Sequence, residues 1–357
     1  MSSIRIITLS ILTPMLIYIF FALKRFFGIF GFFKNHKLLT IGVCIAICMF
    51  LLYEGRSIYN LGLIFVLYLF FALLLIQIVH IFWKNQIFYN LAIPIAVVIV
   101  GIIFSFGYAN MHNIVKTAYE IEDTGCDMKI AFISDLHLGI NMDADEFNEY
   151  LLQAQEDGAE VLLLGGDIFD ESTTRANMEK TCEYLSQTSF KYGVFYVYGN
   201  HDMNWYRSDC EYTEGEMTAA LKAAGVQILA NDYKALDNGV TIIGMKDYSM
   251  EDRAELAEII RKAVAAAPDN YIIMMDHQPV SLKDKAELGV DLNLSGHTHA
   301  GQIWPLGWIE GFIGTNEQVY GLETYDDMTS ITSSGIAGWG YTIRTQSHCE
   351  WEFITLK

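Results

Sequence analysis

Oxygen and imidazole side chains follow five short apolar runs in the second half of the sequence. One such residue would be an ordinary loop or cap residue, but five sites together favour a shared function. Carboxylate, amide and imidazole donors without thiolate suit Mn, Fe or Zn better than a closed structural zinc site. A carboxylate shared by two such ions would hold them about 3.5–4 Å apart, a separation suited to phosphoryl displacement. The residues are Asp135 and His137 after KIAFIS, Asp167 and Asp170 after VLLLGG, Asn200, His201 and Asp202 after FYVYG, His277 after YIIMMD, and His297 and His299 after LNLSG.

Short β-rich runs and helical stretches alternate around these residues. The predicted strands are KIAFIS, VLLL, GVFYVY, VTIIGM and YIIMM, and a β-rich tail ends in EWEFITLK. The predicted helices cover 145–159, 174–188 and 251–267, and Pro268 stops the last one. Repeated strand-helix units indicate an α/β domain, in which functional groups gather at the carboxyl ends of the strands.

The order of these motifs resembles the calcineurin-like metallophosphoesterases over residues 128–357. The motifs are D-x-H at 135–137, G-D-x-x-D at 166–170, G-N-H-D at 199–202, the single His277, and G-H-x-H at 296–299. The segments GHTHAGQIWP, YGLE and SSGIAGWGYTIR resemble the membrane-associated bacterial phosphodiesterases of that superfamily. GHTHGGQ is the commoner form there, so Ala300 replaces a glycine, a change that we expect to leave ligation undisturbed.

The resemblance implies two facing mixed β-sheets flanked by helices and a site for two divalent transition-metal ions. A metal-bound hydroxide would attack phosphorus while His201 donates a proton to the leaving oxygen and Asp170 orients His201. Arg344 and Gln302 would contact phosphate, the alternative for Arg344 being an exposed surface cation, and the role of Asp276 stays open. The implied ligands are Asp135, His137, Asp167 and His299 for the first ion, and Asp167, Asn200, His277 and His297 for the second.

The first half of the chain has a different composition. It contains long uncharged runs, at 6–23, 38–53, 57–83 and 85–115, in a protein that is 52% hydrophobic overall. A membrane helix needs about 20 apolar residues, so 38–53 is marginal. If these runs were core helices of a soluble protein, the fold would have no polar helix face to expose to water. A cleaved signal peptide would carry its basic cluster before the apolar run, whereas the cluster of Lys24 and Arg25 follows it. We therefore predict a transmembrane bundle at 1–115, with spans at about 4–23, 38–53, 61–82 and 87–109, followed by the metallophosphoesterase domain at 116–357.

The basic residues predict the orientation of these spans in the cell membrane. Loops rich in Lys and Arg stay cytoplasmic, and five such residues lie on one predicted face against three on the other. The catalytic domain is then expected outside the cytoplasm, provided that 38–53 crosses the membrane. The five are Lys24, Arg25, Lys34, Lys37 and Lys84, and the three are Arg5, Arg56 and Lys116.

The charge and the aromatic residues of the sequence indicate which classes of partner the chain could bind. The chain after residue 110 carries 16 basic and 41 acidic residues, so we expect no nonspecific nucleic-acid binding. Membrane lipids are expected partners, and Trp304, Trp308, Phe312 and Trp339 are candidates either for an apolar lip or for ordinary packing. Cysteine spacing shows no CxxC pair and leaves disulfides open.

The interpretation as a whole is a membrane-anchored, metal-dependent phosphodiesterase or phosphatase that acts on a lipid-linked or cell-envelope phosphoester. The alternative is a membrane sensor or scaffold that binds a ligand in an esterase-like domain without turnover. Loss of a metal ligand would favour the alternative, and every motif residue is present.

Overall fold

The computed structural model describes residues 3–55 and 60–357, with the side chains of residues 3–7 left undescribed. Arg56, which entered the orientation count, therefore lies outside the described residues, as does the side chain of Arg5. The chain divides into two compact units, Met1–Phe106 and Gly107–Lys357.

The first unit consists of helices. Four of them are long and apolar enough to cross a membrane, which confirms the predicted number of spans. The run that looked marginal, 38–53, belongs to a 19-residue helix. The helices are α1 (Ser3–Phe27), α2 (Gly31–Asn35), α3 (Lys37–Gly55), α4 (Leu61–Trp83), α5 (Gln86–Asn90) and α6 (Ala92–Met111), and the last residues of α6 belong to the second unit.

The predicted fourth span, 87–109, is divided between α5 and α6. Helix α6 begins at Ala92, so Pro94 lies in its first turn. Proline is tolerated there because the first backbone N–H groups of a helix have no intrahelical acceptor.

The second unit contains twelve strands and six helices among the described residues. The strands are β1 (Ile114–Ile121), β2 (Met128–Ile133), β3 (Val161–Leu164), β4 (Val194–Tyr196), β5 (Gln227–Ile228), β6 (Asp232–Ala235), β7 (Val240–Gly244), β8 (Tyr271–Met275), β9 (Leu292–Ser295), β10 (Gly321–Tyr325), β11 (Met328–Thr332) and β12 (Cys349–Leu356). The helices are α7 (Ala144–Glu156), α8 (Arg175–Gln187), α9 (Glu214–Ala223), α10 (Leu256–Ala266), α11 (Leu282–Glu287) and α12 (Leu306–Ile313).

These strands form two six-stranded mixed sheets, in the orders β1-β12-β2-β3-β4-β5 and β10-β11-β9-β8-β7-β6. β2, β3 and β4 are parallel, as are β7, β8 and β9, so their carboxyl ends lie at one edge of each sheet. β12 pairs antiparallel with β2 and parallel with β1. The predicted class of two mixed sheets is therefore confirmed.

Apolar side chains fill the space between the two sheets and also the space between each sheet and the helices outside it. Phe132 and Leu163 of the first sheet pack in one cluster with Ile273 and Leu294 of the second. Phe147 and Leu151 of α7 and Met178 and Leu185 of α8 pack against the outer face of the first sheet. On the other side, α10 and α11 pack against β7 and β8. The sheets face each other and are flanked by helices, as predicted.

Helix α10 begins later than the predicted residue 251. Asp252 pairs with Lys246, and the Arg253 guanidinium binds the Asp276 carboxylate. These tertiary contacts hold the chain outside the helix until Glu255, after which the helix forms.

Candidate metal centre

Five loops converge where β2, β3, β4, β8 and β9 end, and they bring the chemically active side chains together. Two groups of donor atoms result, and within each group the atoms lie within 4.8 Å of one another. The side chains are buried except that of His297, which is partly buried. The first group is Asp135, His137 and His299, and the second is Asp167, His277 and His297.

Asp167 lies between the two groups. Its Oδ2 atom is 3.1 Å from His277 Nε2 and 3.7 Å from His137 Nε2, while Oδ1 accepts the backbone N–H of His201 at 2.8 Å. Burial by itself would raise the pKa of Asp167, but the neighbouring imidazoles, His277 first, hold it well below its usual range. The carboxylate is therefore ionised and within reach of both groups.

The first group presents nitrogen and oxygen atoms to a common point. His137 Nε2 and His299 Nε2 lie 3.2 Å apart, and Asp135 Oδ1 lies 3.6 Å from His299 Nε2. The Asp135 carboxylate also accepts the backbone N–H of His297 at 2.9 and 3.1 Å, which fixes its orientation. Burial and the neighbouring His137 and Arg344 lower the pKa of His299 well below its ordinary value, so this ring is neutral and can act as a ligand.

The second group is oriented by contacts outside it. His277 Nδ1 donates to the carbonyl oxygen of Gly165 at 2.9 Å, which fixes the ring with its Nε2 atom facing Asp167. Asn200 Oδ1 lies 3.0 Å from His297 Nδ1, so the amide joins this group. The seven residues predicted as metal ligands are thus all brought to one place.

The backbone adopts an unusual conformation at these residues. Non-glycine residues rarely take a positive φ, and such strain concentrates at functional sites because the surrounding structure must enforce it. The φ values are 54° at Asp135, 43° at His137, 51° at Asp167, 71° at His297 and 49° at His299.

The two histidines of the GHTH motif belong to different groups, His297 to the second and His299 to the first. The alternation of side chains along a strand does not explain this, because β9 ends at Ser295 and both histidines lie in left-handed turns beyond it. Gly296 is needed between them and the strand, since a Cβ atom there would collide with the Asp135 carboxylate.

Ala300 also takes a left-handed conformation, with φ 48° and ψ 30°. Glycine adopts this conformation without the steric cost that a side chain brings. The replacement is therefore less neutral for the backbone than expected, although His299 still reaches Asp135.

The last aspartate of the G-N-H-D motif organises the loops. Asp202 accepts the backbone N–H groups of Asp167 and Gly199 at 2.8 and 2.7 Å, and that of Phe169 at 3.0 Å. Burial and the charge of Asp167 raise the pKa of Asp202 to about 7. Sequence reasoning assigned Asp202 no role, although its place in the motif was a usable signal.

The structure corrects the expected partner of His201. His201 Nδ1 lies 2.9 Å from Glu171 Oε2, a residue that sequence reasoning missed. Asp170 instead lies 3.5 Å from His137 Nδ1 and accepts hydrogen bonds from Ser172. Burial lowers the pKa of His201, but the hydrogen bond to Glu171 and the nearby carboxylates outweigh it, so the net shift is upward.

The structure also contradicts the expected phosphate contacts of Arg344 and Gln302. Arg344 is fully buried, and its guanidinium donates to four backbone carbonyl oxygens, those of His299, Ser334, Ala337 and His348. The Gln302 amide donates to two carbonyls and accepts the N–H of Trp339. Both side chains support the loops around the site and have no free face for a substrate.

Asp276 forms ion pairs with two basic side chains. Its carboxylate is fully buried between Arg253 and Lys285, each 2.8 Å away. Burial raises the pKa of Asp276, but the two cations outweigh it and the net shift is downward. The ion pairs therefore hold the segment that precedes His277.

The chain resembles known metallophosphoesterases. Residues 128–301 match the family model described as calcineurin-like phosphoesterase. A protein of Helicobacter pylori (strain J99) named as a metallophosphoesterase is 30% identical over 252 residues, which cover 68% of this chain and 64% of that protein. A Bos taurus protein named "Transmembrane protein with metallophosphoesterase domain" is 27% identical over 239 residues, covering 62% of this chain and 51% of that one.

The chain thus spans just under two thirds of the bacterial relative and about half of the bovine one. Among solved structures, a dimetal phosphatase from Danio rerio is similar with a TM-score of 0.40 and 13% identity, covering 59% of this chain and 88% of that one.

Proposed function

Because the chain belongs, through residues 128–301, to the calcineurin-like phosphoesterase family, we propose that it is a membrane-anchored phosphodiesterase or phosphatase that uses two metal ions. The observation that carries this proposal is the position of Asp167 between two groups of donor atoms. A carboxylate shared by two cations allows both to act on one phosphoester.

The donor atoms fit divalent transition metals. His137 Nε2 and His299 Nε2 face each other at 3.2 Å, and His277 Nε2 faces Asp167 Oδ2 at 3.1 Å. The unprotonated nitrogen of an imidazole and the oxygens of a carboxylate are all acceptors, so two such atoms repel each other unless a proton or a cation lies between them. Nitrogen and oxygen donors without sulfur suit Mn, Fe or Zn. The first ion would be held by Asp135, His137, Asp167 and His299, and the second by Asp167, Asn200, His277 and His297.

The ions would supply Lewis acidity and lower the pKa of a nucleophilic water. The chain's own contribution to proton transfer is His201. Asp167 holds its backbone N–H and Glu171 holds its Nδ1 atom, so the ring is fixed beside the donor groups. In this position His201 would donate a proton to the leaving oxygen, and Glu171 is the positioning residue.

The substrate and its location form the second part of the proposal. We place the catalytic domain outside the cytoplasm, acting on a lipid-linked or cell-envelope phosphoester. The four apolar helices and the concentration of Lys and Arg between the first two of them support this placement. The acidity of the chain after residue 110 supports a substrate other than nucleic acid.

The test is hydrolysis of mono- and diester nitrophenyl substrates by the purified full-length protein supplied with Mn or Zn. In the same assay with alkyl phosphoesters, whose leaving groups are poor, His201→Ala should lower turnover by roughly 10²–10⁴-fold with metal content unchanged, and the loss should be smaller for the nitrophenyl esters. His348→Ala is a matched control, because this histidine contacts Glu350 and belongs to neither donor group. If the protein binds metal but hydrolyses neither class of ester, the proposed enzymatic activity would be refuted, and ligand binding without turnover would be favoured.

A further inference from the structure

Helix α12 and the residues before it expose a large apolar surface on the second unit. Phe312 is 94% exposed and Trp308 is 70% exposed. Isolated apolar residues are common on soluble surfaces, but contiguous apolar patches mark interaction sites. We call this surface the α12 face, and it consists of Trp304, Leu306, Trp308, Ile309, Phe312 and Ile313.

The α12 face carries almost no charge. Glu310 is the only ionisable residue between 303 and 316. It is partly buried, its Oε2 atom is fully buried, and burial raises its pKa. A surface of this acidic domain that faces water would be expected to carry charged side chains. Because α12 carries almost none, its composition indicates an apolar partner.

Hydrogen bonds within the second unit join the α12 face to the end of α6. The backbone N–H of Arg344 donates to Gly107 O at 2.9 Å, and Asn110 Nδ2 donates to Arg344 O at 3.0 Å. The next residue, Thr345, accepts the backbone N–H of Trp304 through Oγ1 at 3.0 Å. The last turn of a helix long enough to span a membrane is therefore fixed next to the start of the α12 face.

We propose that the α12 face inserts into the interfacial layer of the lipid bilayer, beside the point where α6 leaves the membrane. Tryptophan is enriched at this depth because its ring is apolar and its N–H is polar. A short helix with one apolar side lies in the plane of the interface and buries that side among the headgroups and upper acyl chains.

This inference goes beyond the proposed hydrolysis, because docking requires neither bound metal nor turnover. It makes the second unit a peripheral membrane domain in its own right, held both by its covalent link to α6 and by α12. Failure of the hydrolysis test would leave it standing, and failure of the docking test would leave the metal centre unaffected.

Lipid quenching of tryptophan fluorescence tests this placement in the full-length protein reconstituted into phosphatidylcholine nanodiscs. The protein has six tryptophans, so the contribution of Trp308 is obtained by subtracting the signal of Trp308→Phe. Trp205 is the matched control, since it is 52% exposed on the second unit outside the α12 face. Trp205→Phe gives its contribution in the same way.

Lipids brominated in their acyl chains should reduce the Trp308 contribution by roughly half or more, because interfacial rings contact the upper acyl region. Acrylamide in the aqueous phase should affect it little. The Trp205 contribution should show the reverse pattern. Phe312→Asp, at a position with no packing to lose, should weaken the quenching of Trp308 by brominated lipid.

Two outcomes would overturn the proposal. If acrylamide quenches Trp308 as efficiently as it quenches Trp205, and brominated lipid does not quench Trp308, the α12 face lies in water. Protection of Trp308 from both quenchers would show that a protein surface, such as a second copy of the chain, covers it instead.

Discussion

The pairing of His201 with Glu171 predicts that Glu171→Gln slows proton transfer without releasing metal. The two side chains are 12% and 7% exposed, and the hydrogen bond between them is 2.9 Å long. A hydrogen bond to a charged group contributes about 1.5–3 kcal/mol and a neutral one about 0.5–1.5 kcal/mol. Glutamine keeps the shape and loses the charge, so about 1–1.5 kcal/mol should be lost, which is roughly a 5- to 15-fold fall in kcat.

Asp170→Asn is the matched comparison for this variant. Asp170 is the neighbouring acid, but it contacts His137, which we propose as a metal ligand. Loss of a carboxylate that orients a metal-binding histidine typically lowers metal affinity by about 10–100-fold. The two adjacent substitutions should therefore differ in kind, one acting on proton transfer and the other on metal retention.

The assay measures kcat for a series of aryl phosphoesters whose leaving groups differ in pKa, together with metal content by mass spectrometry. The loss of kcat in Glu171→Gln should grow as the leaving group becomes more basic. In Asp170→Asn, by contrast, excess metal should restore kcat. Equal losses for all leaving groups in Glu171→Gln, or loss of its metal, would refute the assigned roles.

Three further results are expected. Asp276→Asn leaves the buried Lys285 ammonium without its carboxylate. The free energy of unfolding, measured by urea titration, should therefore fall by about 3–5 kcal/mol. A fall of less than about 1 kcal/mol would contradict the importance of this buried ion pair. Burial and Glu350 raise the pKa of Glu352 well above its usual value, so folding becomes less favourable as pH rises above about 4.3, the unfolded value. Glu352→Gln should therefore raise Tm more at pH 8 than at pH 5, and an equal gain at both would argue against this cause. A tag after Lys357 should be digested by protease added to intact cells, and a protected tag would place the domain in the cytoplasm.

The sequence predicted the parts of this molecule that local patterns determine. The four apolar helices follow from composition alone, and the ligand-bearing loops follow strands whose apolar runs are short and distinct. Strand β1 was missed because its parallel partner, β12, lies at the other end of the chain, so no nearby hairpin signal marks it. The late start of α10 was missed because Arg253 is held by Asp276, a contact invisible in the local sequence.

Tertiary contacts also decided the roles of several polar residues. Nothing in the spacing of Asp170 and Glu171 tells which carboxylate reaches His201 and which reaches His137. Arg344 follows a glycine-rich segment and looked available for phosphate, yet carbonyl groups from several turns surround it. Ala300 looked neutral because its left-handed backbone depends on the turn around it.

Metal analysis of the purified full-length protein and of Asp167→Asn tests the two-metal centre most directly. The wild type should contain close to two transition-metal ions per chain, and Asp167→Asn should lose occupancy at both positions, because Asp167 lies between the two groups of donors. Hydrolytically active protein without bound transition metal, or an Asp167→Asn variant that retains both ions, would contradict a centre bridged by this carboxylate.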